Sequence, residues 1–77
     1  MSHEMRLPKL AMSMKEATII AWLKKEGDTV RRGEPLLQIE TDKAAGEVES
    51  PVDGVVREIL VEKGRTIPVE TPIARIE

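Results

Sequence analysis

The chain repeats itself. Residues Glu16–Glu40 align without gaps on Asp53–Glu77 at a constant offset of 37 positions. Leu23 matches Leu60, Gly27 matches Gly64, Thr29 matches Thr66, Pro35 matches Pro72, Ile39 matches Ile76 and Glu40 matches Glu77. Val30 against Ile67 and Leu36 against Ile73 keep the apolar pattern. A fixed-offset repeat signals one structural unit used twice. Two units are too few to stack as a solenoid, so the expected arrangement is two halves packed face to face about a pseudo-twofold axis. Repeat one ends at Glu40 and repeat two at Glu77, so the axis would place those two residues at opposite ends of the molecule.

The unit itself reads as β. Short β-branched runs are punctuated by Gly and Pro every several residues, the pattern of an all-β sandwich or flattened barrel. Strands are expected over Arg6–Pro8, Thr18–Leu23, Thr29–Val30, Pro35–Glu40, Ala45–Ser50, Val55–Val61, Thr66–Ile67 and Ile73–Ile76. Residues 1–5 are expected to be a disordered segment ahead of one domain over 6–77. The matched pairs Leu23/Leu60 and Ile39/Ile76 are the first expectation for a symmetric core, followed by Val30, Leu36, Val48 and Ile59. Trp22, the one aromatic residue, is expected at the core or its edge, since no second aromatic exists to build a stacking pocket.

Composition excludes several function classes. A chain of 77 residues buries only about 60% of its unfolded surface, which limits the core. With no cysteine and one histidine, His3, near the start, there is no disulfide, thiolate metal site, cysteine nucleophile or histidine-based triad to assemble. Absence of cysteine fits a reducing compartment, with a bacterial cytoplasm expected ahead of a mitochondrial matrix. A net charge of −2 with both signs interspersed points to neither nucleic acid nor an anionic membrane. No apolar run approaches the roughly 20 residues of a membrane helix. Nothing in this inventory makes a self-contained enzyme, and no metal site is expected.

Against that background Lys43 stands out. It lies in Glu40-Thr41-Asp42-Lys43-Ala44, between two expected strands, where a hairpin tip would hold its amine in solvent. Glu40, Asp42, Glu47 and Glu49 surround it in sequence. Glu47 and Glu49 alternate with Val48 and read as the outward face of a strand. Acid–base work by carboxylates needs a cleft that perturbs them, which a hairpin tip lacks. A solvated ammonium is a poor nucleophile, so Lys43 fits an attachment point acylated by another enzyme. A turn centred on Asp42 and Lys43 is compatible with type I geometry, although two-residue hairpin loops favour Asn-Gly or Asp-Gly.

These residues, with their order and spacing, resemble the lipoyl domain of dihydrolipoamide acyltransferases, the core components of 2-oxo acid dehydrogenase complexes. Ile39-Glu40-Thr41-Asp42-Lys43-Ala44 looks like the lipoylation motif. Lys25–Val30, Ser50–Val55 and Pro72–Ile76 look like the family's flanking segments, so the resemblance runs from about Arg6 to Ile76. It implies a flattened barrel of two four-stranded antiparallel sheets with twofold pseudosymmetry, a barrel-sandwich hybrid. It implies lipoate amide-linked to Lys43, with Glu40, Asp42 and Ala44 read by the modifying enzyme, a lipoate ligase or an octanoyl- or lipoyl-transferase. The implied partners are a thiamine-diphosphate-dependent decarboxylase, an acyltransferase catalytic domain and a flavin-containing dihydrolipoamide dehydrogenase. The domain would be a monomeric carrier within a longer chain, catalysing no step itself. Related biotin carriers place their lysine between two methionines; Asp42 and Ala44 occupy those places here, which favours lipoate and leaves a biotin carrier as the alternative. Leu7–Met14 looks more like the pyruvate or acetoin type, and its Met12 and Met14 are expected to form a decarboxylase-recognition loop. Three positions depart from the pattern: Ala17 and Glu70 stand where glycine is common, and Gly46 stands where a larger residue is usual.

Overall fold

The computed structural model describes residues 3–10 and 12–77. Extended runs form eight strands among the described residues: β1 His3–Arg6, β2 Glu16–Trp22, β3 Thr29–Val30, β4 Pro35–Glu40, β5 Ala45–Glu49, β6 Gly54–Ile59, β7 Thr66–Pro68 and β8 Pro72–Ile76. They make two antiparallel four-stranded sheets, ordered β1-β8-β6-β3 and β5-β4-β2-β7. The molecule measures 33 × 21 × 17 Å, so it is flattened as expected.

The offset of 37 carries β2, β3 and β4 onto β6, β7 and β8, and the hydrogen bonds obey it. Ile19 N–H donates to Arg65 O at 2.9 Å and its mate Val56 N–H donates to Asp28 O at 2.9 Å. Gly27 N–H to Val56 O is matched by Gly64 N–H to Ile19 O, both 2.7 Å. Both glycines have positive φ, 95° and 91°, a conformation open to residues without a Cβ.

The symmetry extends to strands whose sequences do not repeat. Leu7 N–H donates to Thr71 O, and its counterpart Ser50 N–H donates to Glu34 O. Met5 pairs with Ala74 as Val48 pairs with Leu37. Here β1 maps onto β5 at an offset of 43, against 37 beyond it, so between equivalent positions the β1–β2 loop is six residues longer than its counterpart, the β5–β6 turn.

The first strand begins at His3 rather than Arg6. Residues 3–5, expected to be disordered, pair with β8 through His3–Ile76, Glu4–Arg75 and Met5–Ala74. This pairing covers what would otherwise be an open edge of β8, and burial of Met5 and Leu7 anchors it. Met1 and Ser2 of that segment lie outside the described residues, as does Ala11 in the next loop.

Inward-facing residues of both sheets meet in one core that includes Leu7, Ile19, Val30, Leu36, Val48 and Ile73. Ile39 and Ile76 are each 1% exposed, a matched pair at its centre. Ile59 and Trp22 are partly buried against it, and the Trp22 indole N–H donates to Val61 O at 2.9 Å. The expectation for Leu23 and Leu60 fails: they are 44% and 40% exposed. The register slips between Ile19 and Ala21 in β2 and at the equivalent place, between Val56 and Glu58, in β6. An extra residue there reverses the in–out alternation. It brings the matched residues Trp22 and Ile59 against the core and leaves Leu23 and Leu60 outside.

Candidate cofactor-attachment site

Strands β4 and β5 are joined by Thr41–Ala44, and Glu40–Ala45 is the last strand pair before the turn. Asp42, Lys43 and Ala44 are exposed, as is Glu40, while Thr41 is half-buried. Lys43 therefore stands at a hairpin tip. None of the salt bridges among the described residues involves it or Glu40, Asp42, Glu47 or Glu49. Glu47 and Glu49 flank buried Val48 on the outer face of β5, as their alternation implies. The amine is free for covalent attachment, and neighbouring carboxylates make no contact that would tie it down.

The turn has no glycine, and neither Asp42 nor Lys43 has positive φ. It is therefore not one of the primed turns that suit two-residue hairpins. Its closure uses Thr41. The Thr41 N–H donates to Ala44 O at 2.7 Å. The Thr41 hydroxyl donates to the same oxygen at 3.1 Å and accepts from the Ala44 and Lys43 amides at 3.1 and 3.3 Å. Thr41 is not among the residues expected from sequence to shape the site, although a Ser or Thr hydroxyl bonding to backbone two or three residues on is a known turn signal.

Beside the hairpin lies an open groove of about 760 Å³, whose lining includes Leu10, Met14, Ala17, Thr18, Lys43 and Gly46. One wall is the long β1–β2 loop, whose counterpart in the other half is only a short turn. The two methionines of that loop part company. Met12 is 94% exposed, whereas Met14 is 6% exposed and belongs to the core. The Met14 sulfur accepts the Leu10 N–H at 3.3 Å, so Met14 braces the loop from within and is not part of an exposed recognition surface. Leu10, not singled out from sequence, is 52% exposed and lines the groove. A Cβ at Gly46 would lie 3.5 Å from Leu10 Cδ1, ordinary van der Waals distance, so Leu10 packs over β5 at Gly46 with room for a methyl group.

Residues at the other end define what stays away from Lys43. β5 leads from the Lys43 turn to Ser50–Asp53, and Val55 just beyond exchanges two backbone hydrogen bonds with Glu77, at 2.7 and 2.8 Å. His3 pairs with Ile76. Five residues of β5 at about 3.3 Å each therefore separate the Lys43 end from the end holding His3 and Glu77. This is the placement the repeat predicts.

A lysine amide fits this site: Lys43 is exposed at a tip, without an ion pair among the described residues, and remote from both described chain ends.

Residues 3–76 match the family described as biotin-requiring enzyme, the biotin/lipoyl attachment family. Among curated proteins, the chain is 47% identical over 73 residues to the dihydrolipoyllysine-residue acetyltransferase component of the pyruvate dehydrogenase complex of Corynebacterium glutamicum, covering 95% of this chain and 11% of that one. It is 40% identical over 72 residues to the corresponding component of the acetoin cleaving system of Pseudomonas putida, covering 94% and 20%. It is 43% identical over 77 residues to the succinyltransferase component of the 2-oxoglutarate dehydrogenase complex of Bartonella vinsonii, covering 100% and 19%. The chain thus spans a fifth or less of these relatives' lengths. Among solved structures, the lipoyl domain of the Azotobacter vinelandii 2-oxoglutarate dehydrogenase complex superposes with a TM-score of 0.76 at 32% identity, covering 96% of this chain and 94% of that one. A single-chain, multi-domain long-chain acyl-CoA carboxylase shares the fold, with a TM-score of 0.78 at 18% identity over 96% of this chain and 7% of that one.

Proposed function

The chain belongs to the biotin/lipoyl attachment family, and from that premise we propose that it is a lipoyl carrier domain of a 2-oxo acid dehydrogenase complex, with Lys43 as the acceptor of the cofactor. Lipoyl domains hold lipoate covalently on a lysine. One observation carries the assignment of Lys43: its amine is exposed at the tip of the β4–β5 turn, without an ion pair among the described residues.

When bound, lipoate supplies a dithiolane that takes up an acyl group with two electrons and gives them up elsewhere. The chain's own residues supply the mounting. Lys43 Nζ becomes the amide nitrogen, which removes the ammonium charge. Thr41–Ala44 carries that nitrogen clear of both sheets. Glu77 leaves from the opposite end, so chain continuing beyond it would not crowd the tip. Tethering makes each visit to a partner effectively intramolecular, which raises the local concentration of the arm without any new contact.

The partners in this reading are a lipoate ligase or octanoyl- or lipoyl-transferase, a thiamine-diphosphate-dependent decarboxylase, an acyltransferase catalytic domain and dihydrolipoamide dehydrogenase, in a bacterial cytoplasm. Substrate class is read as pyruvate or acetoin from the Leu7–Met14 stretch. Leu10 in the groove lining and exposed Met12 in the same loop offer adaptable apolar surface for the decarboxylase. The test is to lipoylate the domain and offer it to decarboxylases of the pyruvate, acetoin and 2-oxoglutarate types. Reductive acylation by one of the first two is expected, and acylation by the 2-oxoglutarate type alone would overturn the substrate class.

The fold shared with a carboxylase keeps a biotin carrier as the second reading, and the residues beside Lys43 separate the two. Replacing Asp42 and Ala44 together by Met should let a biotin ligase accept Lys43. Biotin on the unaltered domain would favour the second reading instead.

A further inference from the structure

We propose that Thr41 is the positioning residue for acylation of Lys43, an inference that rests on the reading of Lys43 as the acceptor. A turn of Thr-Asp-Lys-Ala lacks the residues that shape tight hairpins, and its two central residues keep negative φ. One backbone hydrogen bond, Thr41 N–H to Ala44 O, closes it. The Thr41 hydroxyl adds three contacts within the same four residues, two of them to the amides of Lys43 and Ala44. Among the described residues, the side chains of Asp42 and Lys43 make no hydrogen bond or ion pair that could take over. Beyond that backbone bond, the Thr41 hydroxyl is what ties the tip together among the described side chains.

That geometry governs a reaction. Lys43 Nζ attacks the carbonyl carbon of an acyl adenylate. The amide C–N bond forms as the C–O bond to adenosine monophosphate breaks; the phosphate leaves with the electron pair, and the amine's surplus protons pass to solvent. No electrons are exchanged with an oxidant. The step needs Nζ held in line with a carbonyl in another protein, and misplacement costs rate steeply. If the turn is formed only part of the time, the apparent efficiency falls by that fraction.

Thr41→Val removes the hydroxyl and keeps the volume; Thr41→Ser keeps the hydroxyl and removes the methyl. Each domain is given to a lipoate ligase with ATP and lipoate, and amide exchange at Lys43 and Ala44 is measured on the unmodified domain. Thr41→Val should lower kcat/KM for lipoylation roughly tenfold, equivalent to about 1.4 kcal/mol, and speed exchange of both amides by a similar factor. Exchange at Leu37 and Ile39 should not change. Thr41→Ser should restore both readouts to within about twofold. An unchanged rate in Thr41→Val, a Thr41→Ser variant as slow as Thr41→Val, or slow lipoylation with unaltered amide exchange would each overturn the proposal. An unaltered domain that takes no lipoate would overturn the acceptor assignment as well.

Discussion

At the end of β4 the chain turns through Thr41–Ala44 and returns as β5. At the matched end of β8 it runs straight on to Glu77, which bonds to Val55. The strands leading to these points obey one plan, down to equal hydrogen bonds and the same bulge. The halves diverge where those strands end: one has a tip carrying Lys43, without an ion pair among the described residues, and the other reaches Glu77. They differ again in the loops, since β1–β2 is six residues longer than β5–β6 and builds the groove beside Lys43. The symmetric part is scaffold, and the segments that one half adds to it meet beside Lys43.

If the halves are energetically as well as geometrically equivalent, mutating matched core residues should cost the same. Ile39→Ala and Ile76→Ala each empty a site only 1% exposed and should each cost about 3 kcal/mol. Denaturant unfolding should give values within about 1 kcal/mol of each other. A larger gap would break the equivalence and show that one half carries the fold.

The long loop divides internally in the same way. Met14→Ser removes a core side chain and should cost about 2 kcal/mol. Met12→Ser, at a residue 94% exposed, should change stability by less than about 0.5 kcal/mol while lowering the rate of reductive acylation. Equal thermal destabilisation by both would mean that Met12 is packed.

A smaller effect comes from Gly33 and its mate Glu70, which share positive φ at 88° and 72°. A side chain at such φ costs roughly 1–2 kcal/mol, offset in part by the greater chain entropy of glycine. Glu70→Gly should stabilise by roughly 0.5–1 kcal/mol. Gly33→Ala should destabilise by about 1 kcal/mol, although a Cβ there would meet nothing within 4 Å. Opposite signs, read as shifts in the unfolding midpoint, would locate the effect in the backbone.

The repeat makes β2–β4 and β6–β8 legible from the residues alone, because matched turns and strands need the same glycines and prolines. It does not reveal that β1 corresponds to β5. Met5 and Val48, or Leu7 and Ser50, share burial and hydrogen bonds but not chemistry, and packing accepts residues that alignment does not match. Leu23 and Leu60 depart from expectation for a different reason: identity promises a shared environment, and they do share one, but the bulge puts it outside. At the site, Lys43, Asp42 and Ala44 are legible through their motif. Thr41 is not, since turn rules look first for glycine and asparagine. Met12 and Met14, two positions apart in an irregular loop, can be told apart only by their packing.

In this reading a symmetric scaffold presents one lysine for modification. This is tested most directly by incubating the domain and its Lys43→Arg variant with lipoate ligase, ATP and lipoate, then measuring intact mass and mapping peptides. One lipoyl group per domain is expected, confined to Lys43, and none on the variant, with unchanged thermal unfolding of the unmodified protein. Lipoate on Lys9, Lys24 or Lys63, or on the Lys43→Arg variant, would contradict it.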